Sequence, residues 1–274
     1  MHHPFRIGLG TAGHSHDECV ESVVTALDLG YRHLDTAQLY GTEAAVGEGL
    51  ARSTVPRSRL TVATKVHPEN MAAGDLQESV YDSRERLGVD VIDLLYVHWP
   101  VGQYDPNETL PAIADLQSEG IVREIGVSNF TPKMLAEARD VLPTPIYAHQ
   151  IEMHPLLWRP SYLEEAHRHD YWLVAYSPLA RGAVFDVPEI RDIAEKHGVS
   201  PAQVSLAWLL AKDNVAVVPK ATGRDHLRNN FDAASLSLDP DDVDTIESID
   251  RTAWMMNQED SQILSRYGAH PQRD

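Results

Sequence analysis

The chain has 274 residues, 43% of them hydrophobic, and its formal net charge at pH 7 is -18. This charge argues against nucleic acid and anionic membranes as partners, since both are themselves negatively charged. No apolar run approaches the roughly 18 residues of a transmembrane helix, and the N-terminus lacks the apolar core of a signal peptide. The single cysteine, Cys19, cannot form an internal disulfide, which fits a reducing compartment. We therefore expect a soluble, cytoplasmic protein.

Strand-like and helix-like segments alternate about eight times along the chain. Several strand-like segments are nearly continuous apolar runs, which is typical of parallel strands covered on both faces. The predicted strands span residues 6–10, 31–34, 60–65, 91–97, 122–127, 146–150, 172–176 and 215–218. The predicted helices span residues 17–29, 43–50, 76–87, 109–118, 133–141, 160–169, 201–210, 224–231 and 241–249, with an extra helical stretch at 187–197.

Several helix ends carry capping signals. Gly30 and Gly88 are expected to stop their helices, because glycine adopts the left-handed conformation at little cost. Thr131 precedes a proline and predicts an N-cap. Ser200 and Gln203 have the spacing of a capping box, in which each side chain bonds the backbone of the other residue.

Eight strand–helix units in about 250 residues predict a closed (β/α)₈ barrel. We expect one domain over residues 1–274, with residues 251–274 as a C-terminal tail. The alternative is an open, doubly wound sheet. It is disfavoured because Gly8 and Gly10 supply only a fragment of the glycine-rich fingerprint of dinucleotide-binding folds. In a barrel, residues at the C-terminal ends of the strands share one mouth.

Four titratable residues lie at the predicted ends of successive strands: Asp35, Tyr40, Lys65 and His98. A tyrosine is a weak acid, and a nearby ammonium group stabilises its phenolate and so lowers its pKa. Lys65 could supply that charge, Asp35 could hold Lys65, and His98 could orient a substrate oxygen. Such a set suits hydride addition to a carbonyl group, where a proton must be delivered as an alkoxide forms.

The motifs around these residues resemble the aldo-keto reductase superfamily from about residue 6 to residue 250. The motifs that carry the resemblance are Asp35-Thr36-Ala37 with Tyr40-Gly41 and Glu43, Lys65 on its strand, Leu94 to Pro100, Ile125 to Phe130, Gln150-Ile151-Glu152 with His154-Pro155, Ala175 to Leu179, and Val218 to Ala221. Glu43 and His154 are expected to be structural within these motifs.

The resemblance implies a (β/α)₈ carbonyl reductase that uses NADPH, with NADH as a possible substitute. It implies that Tyr40 donates the proton, with Asp35, Lys65 and His98 as its catalytic partners. The implied cofactor-binding residues are Thr11, Ser128, Asn129, Gln150, Tyr176, Ser177, Leu179, Lys220, Ala221, Thr222, Arg224, His226 and Asn230. The implied substrate-lining residues are Ala12, Leu39, His67 and Trp99, with Trp158 as a further candidate. No metal is expected.

The chain departs from the superfamily pattern at three positions. His226 stands where many relatives have an arginine that helps to bind the extra phosphate of NADPH, and a histidine is only partly charged near pH 7. Arg224 could compensate for that loss. Ala12 and His67 stand where many relatives have aromatic residues, which predicts a wider or more polar substrate pocket.

Two alternatives of other classes stay open at this point. One is a nearly inactive, cofactor-binding regulatory subunit, and the other is a metal-dependent barrel enzyme. The loops at 99–108 and 180–187 and the tail from Arg251 are expected to select a small aldehyde, ketone or keto-sugar, because loops at this barrel face carry specificity. We expect a monomer. The acidic surface also suggests a salt-rich cytoplasm, where charge repulsion is screened.

Overall fold

The computed structural model describes residues 5–250, in which eight parallel strands alternate with helices. The strands are β1 (Gly8–Gly10), β2 (His33–Asp35), β3 (Thr61–Val66), β4 (Ile92–Val97), β5 (Val122–Ser128), β6 (Ala148–Glu152), β7 (Trp172–Tyr176) and β8 (Val215–Val217). The α-helices are α1 (His16–Leu29), α2 (Glu43–Arg52), α3 (Ala73–Leu87), α4 (Pro106–Ser118), α5 (Pro132–Val141), α6 (Pro160–His169), α7 (Pro188–His197), α8 (Pro201–Leu210), α9 (Arg224–Asp232) and α10 (Pro240–Glu247). The predicted tail at 251–274 lies outside the described residues.

The eight strands close into a barrel. They pair in chain order, each parallel to the next, from β1 to β8. The chain around β8 then returns to the first strand, since Ile7 bridges Val217 and Gly10 bridges Lys220. The backbone N–H of Gly10 donates to the Pro219 carbonyl at 3.1 Å. The predicted (β/α)₈ fold is therefore confirmed, and the open-sheet alternative is wrong.

The helices begin and end largely where the capping signals predict. Gly30 and Gly88 take positive φ values of 115° and 63° at the ends of α1 and α3. The Thr131 side chain accepts a hydrogen bond from the Met134 N–H at the start of α5. Ser200 and Gln203 form the predicted reciprocal capping box of α8. Among the described helices, none combines the length and hydropathy that a bilayer crossing requires.

Four strands run one or two residues beyond their predicted ends, and the added residues are functionally informative. Asp35 and Ser128 belong to β2 and β5, and Glu152 belongs to β6. Apolar patterning ends before these polar residues, but the backbone ladder does not depend on side-chain polarity. Each polar side chain is consequently fixed by the sheet itself.

A separate cluster of buried residues fills the barrel interior and includes Phe5, Tyr96 and three alanines. Phe5 stacks on His33 with ring centroids 4.4 Å apart. Farther along the interior, Lys65, Tyr96 and Gly126 are neighbours in register on β3, β4 and β5. A Cβ atom on Gly126 would lie 2.5 Å from the Tyr96 ring, so the glycine leaves room for the phenol. These packed side chains lie beneath the residues at the barrel mouth.

Candidate active site

The segment after β2 is a tight 3₁₀ turn that carries Tyr40. The turn spans Gln38–Tyr40, and Gly41 follows it with φ of 65°. A cluster of buried threonines fixes the entry to the turn: Thr36 Oγ1 lies 2.9 Å from Thr42 Oγ1, and Thr42 Oγ1 lies 3.1 Å from Thr11 Oγ1. Thr11 also donates to the Asp35 carbonyl at 3.0 Å. Thr11, a predicted cofactor residue, thus also shapes the turn.

Gln38 anchors the other side of this turn. Its amide nitrogen donates to Ser79 Oγ at 3.1 Å and to Ser83 Oγ at 3.0 Å, both on α3. Its amide oxygen accepts from the backbone N–H of His67 at 2.8 Å. Sequence reasoning missed Gln38, because a polar residue in a turn looks like a solvated one. Here it holds Tyr40 rigidly against the neighbouring unit.

Lys65 is completely buried and reaches the same place from β3. Its ammonium nitrogen lies 2.5 Å from Asp35 Oδ1 and 2.8 Å from the Thr36 carbonyl. The nitrogen also lies 5.0 Å from the centroid of the Tyr40 ring. A buried charge pair of this kind needs further hydrogen bonds to be tolerated, and Thr36 supplies one of them.

His98 follows β4 directly and faces Tyr40. Its Nε2 atom lies 3.5 Å from the Tyr40 hydroxyl, and the side chain is buried. Burial, with added repulsion from Lys65 and His67, holds the pKa of His98 well below its ordinary value. The imidazole is therefore neutral near pH 7, so only one ring nitrogen carries a proton. The four predicted catalytic residues thus meet at one point of the barrel mouth.

Asn129 joins three strand ends beside this group. Its amide nitrogen donates to the His98 carbonyl at 3.1 Å and to Ser128 Oγ at 3.0 Å. Its amide oxygen accepts a hydrogen bond of 3.0 Å from the Tyr176 hydroxyl. Asn129 and Ser177 both have positive φ, of 62° and 48°. Such non-glycine conformations are uncommon and concentrate at functional sites.

Gln150 lies under the same group at the end of β6. Its side chain is almost fully buried, and its amide nitrogen donates to Asp35 Oδ2 at 2.8 Å. Its backbone carbonyl accepts from the Asn129 N–H at 2.9 Å. Gln150 thus contacts both the charged pair and the residue that orients Tyr176.

A long cleft of about 950 Å³ begins at Asp35 and Tyr40 and extends to α9. Its volume lies within the usual range of small-molecule sites, about 300–1,000 Å³. Nine predicted cofactor residues line it: Thr11, Tyr176, Ser177, Leu179, Lys220, Ala221, Thr222, His226 and Asn230. Ser128, Asn129 and Gln150 are outside this lining and adjoin it through Tyr176 and Asp35. Arg224 is not among the lining residues, although its neighbour Asp225 is.

The far end of the cleft combines charge with a buried amide. Lys220 and His226 line it, together with Asp225. Asn230 is only 4% exposed and lines the same end of the cleft. Nicotinamide dinucleotides are long, with an aromatic group at each end and phosphates between them. A cleft with the Tyr176 ring at one end, and cationic and amide groups at the other, fits such a molecule.

The predicted substrate-lining residues divide into two groups. Ala12 lines the cleft, whereas Leu39, His67 and Trp99 are not among its lining residues. Leu39 lies in the 3₁₀ turn and Trp99 directly follows His98, so both stay next to the catalytic group. His67 caps a short turn by accepting from the Glu69 N–H at 3.1 Å.

Trp158, the further candidate for the substrate pocket, is not among the residues that line this cleft. Trp158 packs edge to face on Trp208, with centroids 5.2 Å apart. Lys212 Nζ lies 4.3 Å from the Trp158 ring centroid and 4.4 Å from that of Trp208. Aromatic and cation–π contacts of this kind account for its position.

Several cleft residues carried no recognisable signal in the sequence. Arg181, Gly182 and Phe185 come from the segment after β7, and Ser200 and Asn229 come from α8 and α9. Ser200 was predicted only as a helix cap, and the others belong to irregular or polar stretches. His14 was also missed: its Nε2 lies 3.2 Å from the Ala221 carbonyl and ties the loop after β1 to the cationic end.

Comparison with known proteins identifies the family of this chain. The profile of the Aldo/keto reductase family matches residues 6–251. The methylglyoxal reductase DkgB of Escherichia coli O157:H7 is 38% identical over 246 residues, which cover 89% of this chain and 92% of that protein. Aldose reductase from Giardia lamblia has a TM-score of 0.87 at 28% identity, covering 93% of this chain and 95% of that one.

A second solved structure, an aldo-keto reductase complexed with NADPH, has a TM-score of 0.88 at 25% identity. The match covers 98% of this chain and 90% of that one. The profile match, the close relative and the barrel itself agree, and the chain belongs to the aldo-keto reductase family.

Proposed function

We propose that this enzyme reduces a small aldehyde, ketone or keto-sugar to an alcohol, with NADPH as the preferred cofactor and Tyr40 as the proton donor. The observation that carries the proposal is the meeting of Tyr40, His98, Lys65 and Asp35 at the inner end of a long cleft. Family membership already supports carbonyl reduction in general. The proton donor, the cofactor and the substrate are the proposed parts.

When bound, a reduced nicotinamide supplies the hydride. The Tyr176 ring would lie against the nicotinamide, and the Tyr176 hydroxyl is held by Asn129 so that the ring keeps its orientation. Ser128, Asn129 and Gln150 surround this place with hydroxyl and amide groups, which suit a carboxamide because they offer both donors and acceptors. A fixed stacking face determines which side of the ring meets the substrate.

Tyr40 and His98 would share the work at the substrate oxygen. The neutral His98 imidazole donates a hydrogen bond from Nε2 when its proton is on that nitrogen, and so polarises the carbonyl. The Tyr40 hydroxyl then delivers its proton to the oxygen as negative charge develops there. The Lys65 ammonium stabilises the phenolate that remains, and Asp35 holds Lys65 in place.

The preference for NADPH rests on the cationic end of the cleft. Lys220 carries a permanent positive charge there, Arg181 lines the same cleft, and His226 adds positive charge only when protonated. Asp225 lines the same end and opposes an added phosphate. We therefore propose a moderate preference for NADPH, with NADH also accepted.

The regulatory-subunit alternative is disfavoured, because all four catalytic side chains lie in contact geometry.

The metal-dependent alternative is disfavoured by the side chains that could bind an ion. Within residues 5–250, one grouping of His, Asp and Glu atoms is close enough for an ion: His197, Asp239 and Asp242. Lys196 Nζ already lies 2.6 Å from Asp239 and 2.7 Å from Asp242, so an ammonium competes with a cation there.

The decisive experiment measures cofactor consumption over a panel of aldehydes, ketones and keto-sugars, with NADPH and NADH, in the presence of a chelator. Methylglyoxal is the first substrate to test, because a relative is named for its reduction. We expect turnover that survives the chelator and is faster with NADPH. Cofactor binding without turnover of any carbonyl would favour the regulatory alternative, and turnover abolished by the chelator would favour a metal enzyme.

We further propose that the enzyme acts as a monomer in the cytoplasm. Its one cysteine, the buried Cys19, suits a reducing compartment. Light scattering after gel filtration tests the monomer, and fractionation of the source cells tests the compartment. A dimer mass, or recovery outside the cytoplasm, would contradict these two parts separately.

A further inference from the structure

Asp35 has two carboxylate oxygens, and a different residue occupies each. Oδ1 lies 2.5 Å from Lys65 Nζ, and Oδ2 accepts from Gln150 Nε2 at 2.8 Å. Lys65 and Gln150 are both almost fully buried, and so is Asp35 itself, although it lies at the inner end of the cleft. Removal of the Gln150 donor would leave a charged, largely buried oxygen without this hydrogen bond, which is destabilising.

The chemistry of Asp35 also fixes the Gln150 amide. A carboxylate paired with an ammonium group only accepts hydrogen bonds, so the amide nitrogen of Gln150 must face it. The amide oxygen of Gln150 is then the atom left for a ligand. This atom can accept a hydrogen bond from a carboxamide NH₂ group, and it cannot donate one.

We propose that Gln150 is a positioning residue for Asp35 and Lys65, in addition to its expected contact with the cofactor. The Gln150 side chain then connects the proposed nicotinamide site to Asp35 and Lys65, which support Tyr40. The link to the cofactor rests on the proposed function, whereas the link to Asp35 does not. Through Gln150, binding of the nicotinamide would affect the position of Lys65 beside Tyr40.

Two substitutions separate this role from simple packing. Gln150→Met keeps the volume and removes the donor. Gln150→Glu keeps the shape and places a second carboxyl group against Asp35. Two neighbouring carboxylates cannot both ionise readily, so the introduced group keeps its proton to a higher pH than an isolated glutamate. While protonated it can still donate to Asp35 Oδ2, as the wild-type amide does.

The sign of the pH effect follows from this shift. The introduced group has a higher pKa in the folded protein than in the unfolded chain. Its stabilising effect is therefore present at low pH and lost as pH rises through the folded value. We expect the free energy of unfolding of Gln150→Glu, measured without cofactor, to fall relative to wild type between pH 5 and pH 8. The difference in free energy of unfolding between Gln150→Met and wild type should stay constant from pH 5 to pH 8.

The charged and titratable groups around Asp35 are common to all these proteins, so comparison with wild type removes their contributions. They are Lys65 from β3, Tyr96 and His98 from β4, Tyr40 from the 3₁₀ turn and His33 from β2.

A control at a partly buried glutamine is Gln117→Glu. The Gln117 amide bonds the Arg123 carbonyl at 2.8 Å and the Thr144 hydroxyl at 2.8 Å, and neither partner is a carboxylate. The curve of stability against pH for this variant should run parallel to wild type. A Gln150→Glu curve that also runs parallel to wild type would overturn the proposal.

The active enzyme gives the second readout. At saturating cofactor, Gln150→Met should lower kcat by about 10-fold, the cost of one hydrogen bond to a charged group. An unchanged kcat would overturn the coupling to Lys65. The stability arm uses neither cofactor nor substrate, so it remains decisive even if no carbonyl in the panel is reduced.

Discussion

The hydroxyl of Tyr40 lies 3.5 Å from Nε2 of His98, and the two rings meet edge to face at 85°. A carbonyl oxygen placed between them could accept a hydrogen bond from both. His98 is neutral because burial lowers its pKa, so it polarises such an oxygen without protonating it. The arrangement is the basis for the proposed roles of Tyr40 as proton donor and His98 as the residue that orients the oxygen.

Tyr40→Phe should lower kcat for carbonyl reduction by about 10²–10⁴-fold, the usual contribution of a general acid. The dissociation constant of the cofactor should change by less than about twofold, because the ring and its packing remain. Steady-state kinetics and fluorescence titration measure the two effects. Tyr81→Phe is the control, since the Tyr81 hydroxyl bonds Glu119 on the surface. Near wild-type turnover in Tyr40→Phe would show that another group donates the proton.

Lys220→Ala should weaken NADPH far more than NADH. The Lys220 ammonium carries a permanent positive charge at the α9 end of the cleft, and a hydrogen bond to a charged group contributes about 1.5–3 kcal/mol. We expect a rise of about 10-fold or more in the NADPH dissociation constant and little change for NADH. Lys133→Ala on the exposed face of α5 serves as the control. Equal losses for both cofactors would mean that Lys220 does not contact the extra phosphate.

The sequence predicts the barrel well because each strand–helix unit carries its own local signals. Apolar strands, helix caps such as Thr131 and stop glycines such as Gly88 act over a few residues, and all of them recur in the structure. The catalytic group was predictable for a related reason. A barrel brings every strand end to one mouth, so Asp35, Lys65 and His98 converge once the strands are counted.

The supporting contacts were not predictable, since they join residues that are distant in sequence and have no pattern of their own. Gln38 bonds α3, and Gln150 bonds Asp35 across 115 positions. Trp158 was a further candidate for lining the substrate pocket, and it is not among the residues that line the cleft. Trp158 packs instead against Trp208 and Lys212, which are about 50 positions away in the sequence, so these contacts are visible only in the folded structure.

His33 should make folding stability depend on pH. It is fully buried against Phe5, and burial lowers its pKa to about 4. The folded pKa is below the unfolded value, so the stability from this residue is present above about pH 6.5 and is lost as pH falls. By pH 5 the loss from His33 is about 2 kcal/mol.

His33→Gln tests this, because the amide can still donate to the Phe5 carbonyl that Nδ1 contacts at 3.1 Å. Urea unfolding at pH 5 and pH 7.5 should show a smaller pH difference in the variant than in wild type. The overall stability of the variant can differ without affecting the test. An equal pH difference in both proteins would show that His33 does not carry the effect.

Tyr96→Phe should stabilise the protein by about 1 kcal/mol. The Tyr96 hydroxyl is completely buried, and no group of residues 5–250 is in hydrogen-bond geometry with it. The Gln150 amide is close enough to lower the pKa of Tyr96, but burial outweighs it and raises that pKa, so the folded state bears most of the desolvation cost. Phenylalanine keeps the ring over Gly126 and removes that cost. Gly126→Ala is the opposite change, since its Cβ would lie 2.5 Å from the same ring, and it should destabilise by about 1–3 kcal/mol. Destabilisation by Tyr96→Phe would mean that the hydroxyl has a partner after all.

Salt should raise the stability of this protein. Acidic residues number 41 against 23 basic ones, so repulsion between like charges exceeds the attraction of the surface ion pairs. At about 1 M salt the screening length falls to roughly 3 Å, and long-range repulsion is suppressed. Urea unfolding in low and in molar KCl measures the change without adding a charged denaturant. We expect a higher free energy of unfolding in molar KCl, and greater stability at low salt would remove the hypothesis of a salt-rich cytoplasm.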